Sequence, residues 1–570
     1  MSQKKLKKER VMAKVVDKQS SYDPGEFEGI IKILRSNWIF LLGVCVMTIL
    51  LYLNSLHGHF VSDDYASISQ NPTVTNFGLM FSGLNMVSII TYLGAVLFGV
   101  TNPFMWHVLS LFLYIVFLIV SFIFLDIVFK KRIAIITTLL FATHPIHVEA
   151  ISWISGKPYL LGPIFILLSL IYFVLYLRSR NKRYLWLLVL GILLSLSADK
   201  VRTPSLLFLI LVYVLAFDRW VFKKVNFLKV LGIVISAGIL FTILLWPMIV
   251  NRVTSVNSGY NQSDSIFYNP FFQYPTAIAK YLQLLFIPID LTLYHTMYIF
   301  PVWLNWFIFL VFIISLIYFY FKNPKLFFSL AFIFAATAPS MAPVKVSWLV
   351  AERYVFFGSL GFCVFIALLL EKLYSKQLIV GTVVLSLIVT LFCYRTYIRN
   401  IDWQTNHNLW VNTCQVSPNS HNAWNNIGDD YDKLKDYPDA IKGFTQSTVV
   451  KPDYADAYHN RANIFFKMGR LDLARDSYMM ALNYSPGLYH SYLSLIQIDL
   501  MEKNAPLVVE HVKKLLDLQP NNPQSWYVAA VVSAQMGNKQ QAIELVQKAL
   551  SIDPNYSLAS NLLQQLSIAK

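Results

Sequence analysis

Charged residues are scarce in this sequence. Of 570 residues, 14% are Asp, Glu, Lys or Arg and 56% are hydrophobic, where a soluble globular protein carries roughly 25% charged residues. That deficit argues against an ordinary water-soluble chain and points to lipid as the solvent for much of it. Cysteine is equally thin. Cys45, Cys363 and Cys393 sit in apolar runs and Cys414 alone in a polar one, so neither a disulfide framework nor a paired-cysteine zinc site is written here. No GxxxxGK[ST] and no GxGxxG after a strand pattern occurs, and a soluble nucleotide-binding fold is not expected. The first apolar run, Asn37–Asn54, lacks a small-residue cleavage signal after it and reads as a retained span.

The charge that is present is mostly basic, net +16. In a soluble protein this would point to nucleic acid. Here the lysines and arginines flank apolar runs, as they do when they orient a membrane protein, so no nucleic-acid partner is expected. Spans of about 20 apolar residues are expected to begin near Trp38, Pro103, Ile133, Tyr159, Leu185, Ser205, Leu228, Val302, Leu326, Val355 and Leu378, which makes about 11. Leu84–Val100 reads as an interfacial helix. Nine basic residues precede residue 37, and short loops at Lys130–Arg132, Arg178–Arg183, Arg219–Lys224, Lys322–Lys325 and Lys372–Lys376 hold many others. Alternating 11 spans puts all of these on the cytoplasmic side. Ser55–Gly83, with no lysine or arginine, then falls on the opposite side, as do His144–Pro158, Ala198–Thr203, Asn251–Phe300, Ala342–Arg353 and everything after Arg395.

Prolines at 418, 452, 486, 520 and 554 recur every 34 residues, and Trp424, Tyr458, Tyr492 and Trp526 keep the same period. With small residues at Gly428, Ala462 and Ala530 and at Ala440, Ala474 and Ala542, this is the tetratricopeptide pattern. Each helix pair is too small to bury its apolar face alone, and stacked neighbours supply the rest. The third unit departs from the pattern, with Ile496 and Val508 at the small positions. Such arrays mostly present a surface to a peptide or partner protein; a passive spacer is the plainer alternative. The expected division is a cytoplasmic tail (1–36), a polytopic domain (37–395), a junction (396–417) and about four repeats (418–570). The fold class is all-α.

Ionisable groups beside spans are functional candidates. Asp63–Asp64, in FVSDDY, are adjacent carboxylates with no basic residue nearby in sequence. Mutual repulsion suits a general base or a metal-assisted site; a helix-capping pair is the alternative. His144, His147 and Glu149 in THPIHVEA could be metal ligands or proton carriers, or could simply order a loop. Lys157 at the next span could meet an anion or snorkel. Arg353, at a non-cytoplasmic helix start, would suit a phosphate held in bidentate fashion; an internal link to Glu352 is the alternative. Lys200 and Arg202, beside Asp199, add charge on the same side. Whether Asp63, Asp64 and His144 hold a divalent cation is open.

The stretches NSLHGHFVSDDYASISQNPTV, FATHPIHVEAISWISGKPYLLGPIF, VAERYVFFGSLGF and RNIDWQTNHNLW, followed by the repeats, resemble the transmembrane and tetratricopeptide-repeat protein O-mannosyltransferases. More broadly they are similar to GT-C type glycosyltransferases. The resemblance covers the chain from about residue 37. It implies a polyprenyl-phosphate sugar donor, inverting transfer on the non-cytoplasmic face and a protein hydroxyl acceptor recruited by the repeats. It implies Asp63 as base, Asp64 as its assistant, and Arg353 and Lys157, with Glu352 beside them, at the donor phosphate. It also implies a bacterial inner membrane, or the ER membrane of a eukaryote. Relatives carry Ser-Lys-Glu where this chain reads Ser197–Ala198–Asp199–Lys200, which reverses the order of charges there. A non-catalytic scaffold that assembles partners on its repeats, and a glycan- or lipid-modifying transferase of the same build, are the competing readings.

Overall fold

In the computed structural model the described residues are 27–72, 74–80, 85–219, 250, 269–296, 300–341 and 348–568. The span expected from Leu228, residues 251–268 and 297–299 of the expected 251–300 loop, and most of the N-terminal tail lie outside them. Among the described residues there is no strand, and the chain divides into two compact units, the first ending at Ser417 and the second running Pro418–Lys570.

The first unit is built of α1 (Phe27–Leu51), α2 (Met86–Phe98), α3 (Pro103–Val128), α4 (Lys131–Thr143) and α5 (Val148–Ser152). These are followed by α6 (Lys157–Ser179), α7 (Lys182–Ala198), α8 (Ser205–Phe217), α9 (Pro270–Phe286), α10 (Val302–Lys322) and α11 (Pro324–Thr337). The last four are α12 (Glu352–Val355), α13 (Ser359–Lys376), α14 (Leu378–Asp402) and α15 (Asn406–Val416). Among the described residues, six helices are long and apolar enough to cross a membrane, and a seventh crossing is made if one bent pair counts as a single span. This is a membrane protein. The expected Leu84–Val100 element is the 13-residue α2.

The bent pair explains how a loop rich in ionisable residues comes to lie inside the bundle. α4 stops at Thr143, and the chain resumes after a 57° bend at Pro145, whose ring removes a donor and forbids a continuous helix. His144 caps the break, its Nδ1 accepting from Ile146 N at 3.2 Å. Around this kink an aromatic core forms from Tyr114, Phe117, Phe141 and Phe356, all buried. α11 and α13 meet backbone to backbone at Gly361, where a Cβ would lie 2.5 Å from Ser329 O; small residues allow that approach between membrane helices.

The second unit is four helix pairs and a last helix: α16 (His421–Lys433) with α17 (Tyr437–Val450), α18 (Ala455–Lys467) with α19 (Leu471–Tyr484), α20 (Tyr489–Met501) with α21 (Ala505–Leu518), α22 (Pro523–Gln535) with α23 (Lys539–Ile552), and α24 (Ser557–Ile568). The two periodic signals bond to each other. Trp424, Tyr458 and Trp526 donate to the carbonyls of Pro418, Pro452 and Pro520 at 2.7, 3.1 and 2.8 Å. A third periodic feature lies between the helices of each pair. Lys435, Gly469, Lys503 and Gly537, again 34 apart, all have left-handed φ of 62°, 73°, 57° and 83°. In the third unit Ile496 and Val508 replace small residues yet are 2% and 1% exposed, packing with Leu515 and Val532 into their own apolar cluster.

Candidate active site

α1 ends at Leu51, and after one turn at Leu53–His57 the chain is extended to Phe60. Ser62 then takes a left-handed φ of 53°, a conformation that is costly outside glycine and concentrated at functional sites. The two acids that follow have opposite environments. Asp64 is fully buried. Its Oδ1 accepts from Ser155 N and Ser155 Oγ at 2.7 and 2.6 Å, and its Oδ2 accepts from Val61 N at 3.2 Å. Burial pushes its carboxyl up to about 6, against the opposing hydrogen bonds from Ser155 and Val61 and the field of Lys157. Asp63 is exposed, and no side-chain hydrogen bond or ion pair of it is found among the described residues.

The segment 149–159, which passes from α5 into α6, joins this acidic loop to the cations. Ser155 reaches Asp64. Two residues earlier, the Trp153 ring centre lies 5.4 Å from the Arg353 guanidinium. Four residues later, Tyr159 Oη accepts from Arg353 Nε at 3.1 Å. Glu149 accepts from Arg353 N at 3.0 Å and forms an ion pair with its guanidinium. Arg202, paired with Asp199, lies 3.9 Å from the Tyr159 ring centre and 5.7 Å from that of Tyr354. Two buried arginines thus flank one tyrosine pair, whose rings are 6.4 Å apart. Lys157 is 2% exposed, donates to Ile154 O at 2.9 Å and stands 4.8 Å from the Trp106 ring centre.

The structure distinguishes among alternatives that the sequence left open. Arg353 does not link to Glu352, because consecutive helical residues face apart. Glu352 instead accepts at Oε1 from Thr292 N at 2.5 Å and from Arg399 Nη2 at 3.1 Å, and burial raises its carboxyl to about 7 against the Arg399 charge. His144 and His147 order the kink. His144 Nε2 meets Leu285 O at 3.0 Å, and His147 bridges Tyr114 Oη and Ser359 Oγ at 3.2 and 2.7 Å. With both ring nitrogens of each so engaged, neither is free to meet the Asp63–Asp64 doublet. Lys200 is exposed and joins none of these contacts. Among the described residues no group of three or more His, Cys, Asp or Glu side chains that could hold a metal ion is found.

Ser155, Tyr159, Tyr354 and Arg399 were not singled out from the sequence. Arg399 carried a usable signal, a guanidinium at the end of an apolar run expected to be non-cytoplasmic, the same argument that picked Arg353. The other three are ordinary hydroxyl residues in the motifs, and only contact marks them.

The tetratricopeptide repeat family model matches residues 455–487 and 523–556. Over most of its length the chain aligns with the protein O-mannosyl-transferase TMTC3 of Homo sapiens, 25% identical over 625 residues, 89% of this chain and 67% of the relative. The chain is similar to this protein O-mannosyl-transferase. The Mus musculus TMTC3 is 24% identical across 88% of this chain and 63% of its own length. The protein O-mannosyl-transferase F38B6.6 of Caenorhabditis elegans is 25% identical across 72% and 62%. The chain therefore spans about two thirds of the length of these relatives. The alignment with TMTC3 covers both the membrane unit that holds the site and the repeats.

Proposed function

We propose that this protein is a membrane glycosyltransferase that moves a sugar, mannose by analogy with its relatives, from a polyprenyl-phosphate donor to a serine or threonine hydroxyl of an exported protein. The chemistry takes place on the non-cytoplasmic face, and the repeats recruit the acceptor. Asp63 accepts the hydroxyl proton as the acceptor oxygen attacks the anomeric carbon. The bond from that carbon to the phosphate oxygen breaks with its electron pair on the lipid phosphate, and the configuration inverts. Asp64, held by Ser155 and Val61, fixes the loop. Arg353, Arg202 and Lys157 offset the charge that develops on the leaving phosphate.

The observation that carries this reading is the shared segment: Ser155 holds the acidic loop while Trp153 and Tyr159 hold Arg353. The surrounding shell is also rich in unspent donors. Among the described residues, buried Trp153 Nε1, Trp403 Nε1, Arg202 Nε and Arg399 Nε have no acceptor, and Glu352 Oε2 has no donor; the excess of donors favours an anionic ligand because buried donors are otherwise satisfied.

The test is transfer from a radiolabelled polyprenyl-phosphate mannose to a serine- and threonine-rich peptide in membranes carrying the full chain. Asp63→Asn should lower kcat by about 10²–10⁴-fold, the usual weight of a general base, with the protein present at normal level. Wild-type rates in that variant would remove the base assignment. A second reading, a scaffold without activity, draws on one fact: Arg353 and Arg202 are already neutralised by Glu149 and Asp199. It predicts that Asp63→Asn changes nothing while loss of residues 418–570 does.

A further inference from the structure

The acidic loop does not keep its shape unaided. It is stitched to the C-terminal end of the membrane unit. Asn54 Nδ2 donates to Tyr397 O at 3.0 Å, Asn400 Nδ2 to Asn54 Oδ1 at 3.0 Å, and Gln404 Nε2 to Asn54 O at 3.0 Å. Further along, His59 N donates to Gln404 O at 2.8 Å. The last stitch differs in kind. Ser62 N donates to Asn406 Oδ1 at 2.8 Å across 344 residues of sequence, and Ser62 is the residue at φ 53°. A left-handed turn at a non-glycine residue costs roughly 1–2 kcal/mol and persists only where its surroundings over-determine it. Asn406 supplies that determination from a rigid base, the first turn of α15, whose start is capped by Thr405 Oγ1 accepting from Asn408 N at 3.1 Å.

Asp63 follows Ser62 and has no side-chain bond of its own among the described residues. The backbone at Ser62 therefore sets where the Cα–Cβ bond of Asp63 starts and which region its carboxylate can reach. We propose that Asn406 is a positioning residue for Asp63, aiming it by holding Ser62 in the left-handed turn. The inference rests on the reading of Asp63 as base. It makes the junction part of the catalytic unit: the helix that leads into the repeats is the one that sets the angle of the base.

Kinetics of the full chain in membranes, with the same mannosyl donor and peptide, test this. Asn406→Ala should lower kcat about 10- to 100-fold, the scale of a misplacement of order 1 Å, with KM for donor and peptide little changed and the protein at normal level. Asn406→Asp keeps an oxygen acceptor for Ser62 N and should restore most of kcat above neutral pH. If Asn406→Ala retains wild-type kcat while Asp63→Asn is inactive, the positioning role is overturned and the base assignment stands. If Asp63→Asn is itself active, the functional reading fails and this inference with it. Should Asn406→Ala be lost from the membrane, Asn406→Gln decides. It keeps the amide but moves the oxygen by one methylene, so lowered kcat at unchanged KM supports the role and full kcat overturns it.

Discussion

The buried carboxyl of Asp64 is raised from 3.8 to about 6 by burial, a bias toward its neutral form of about 3 kcal/mol at 1.36 kcal/mol per unit. The folded protein therefore holds this proton where the unfolded chain has released it, and stability falls as pH rises between the two values. Above about 6 both states are ionised and the dependence ends. Asp64→Asn removes the titration, so the stability of wild type relative to this variant should fall by about 3 kcal/mol as pH is raised from below 4 to above 6. Thermal unfolding of the detergent-solubilised protein at several pH values reads that difference; a flat difference would place the Asp64 charge in solvent. The doublet was visible in the sequence because two adjacent acids in an apolar setting are rare. Which acid is buried was not visible, since that depends on Ser155, 91 residues away. The pairing of Arg353 was hidden for the same reason: its partner Glu149 is 204 residues distant, while the adjacent Glu352 belongs to Arg399.

Between elements, the Glu149–Arg353 pair fastens α12 to α5, and both side chains are nearly dry, at 0% and 8% exposed. Removing one member leaves the other charge buried and unmatched, which is expected to cost about 3–5 kcal/mol, whereas replacing both can be close to neutral. Arg353→Met should thus lower the thermal stability of the membrane unit sharply, and Glu149→Gln with Arg353→Met should recover most of the loss. A loss in the double variant equal to the sum of the losses in Arg353→Met and Glu149→Gln alone would mean the pair contributes no coupling. The repeats were the most legible elements, because a 34-residue period fixes helix pairs regardless of what they contact. Their turns were only half legible. Gly469 and Gly537 announce a left-handed residue, but Lys435 and Lys503 adopt the same conformation without a glycine to mark it. Helix lengths in the membrane unit were harder to read. The break at His144–Pro145 fell where the sequence put a loop, but α8, expected as a full span from Ser205, is 13 residues long.

On the scale of the molecule, the membrane unit concentrates its buried ion pairs where the loops after α1, α5, α7 and α14 meet, and the segment 149–159 connects them. The chain order of these parts, acidic loop first and Arg399 last, gives no hint that they are neighbours. The order does match that of the motifs that carry the resemblance to protein O-mannosyltransferases. The central claim is that the carboxylates and the guanidinium groups share one ligand pocket. A polyprenyl-phosphate sugar bearing a photoreactive group on the sugar, irradiated with the full protein in membranes and followed by peptide mapping, tests this most directly. The account predicts adducts within 59–67 and 149–159, suppressed by excess unmodified donor. Adducts confined to the repeats, or to the loops around Lys130 and Lys372, would contradict it.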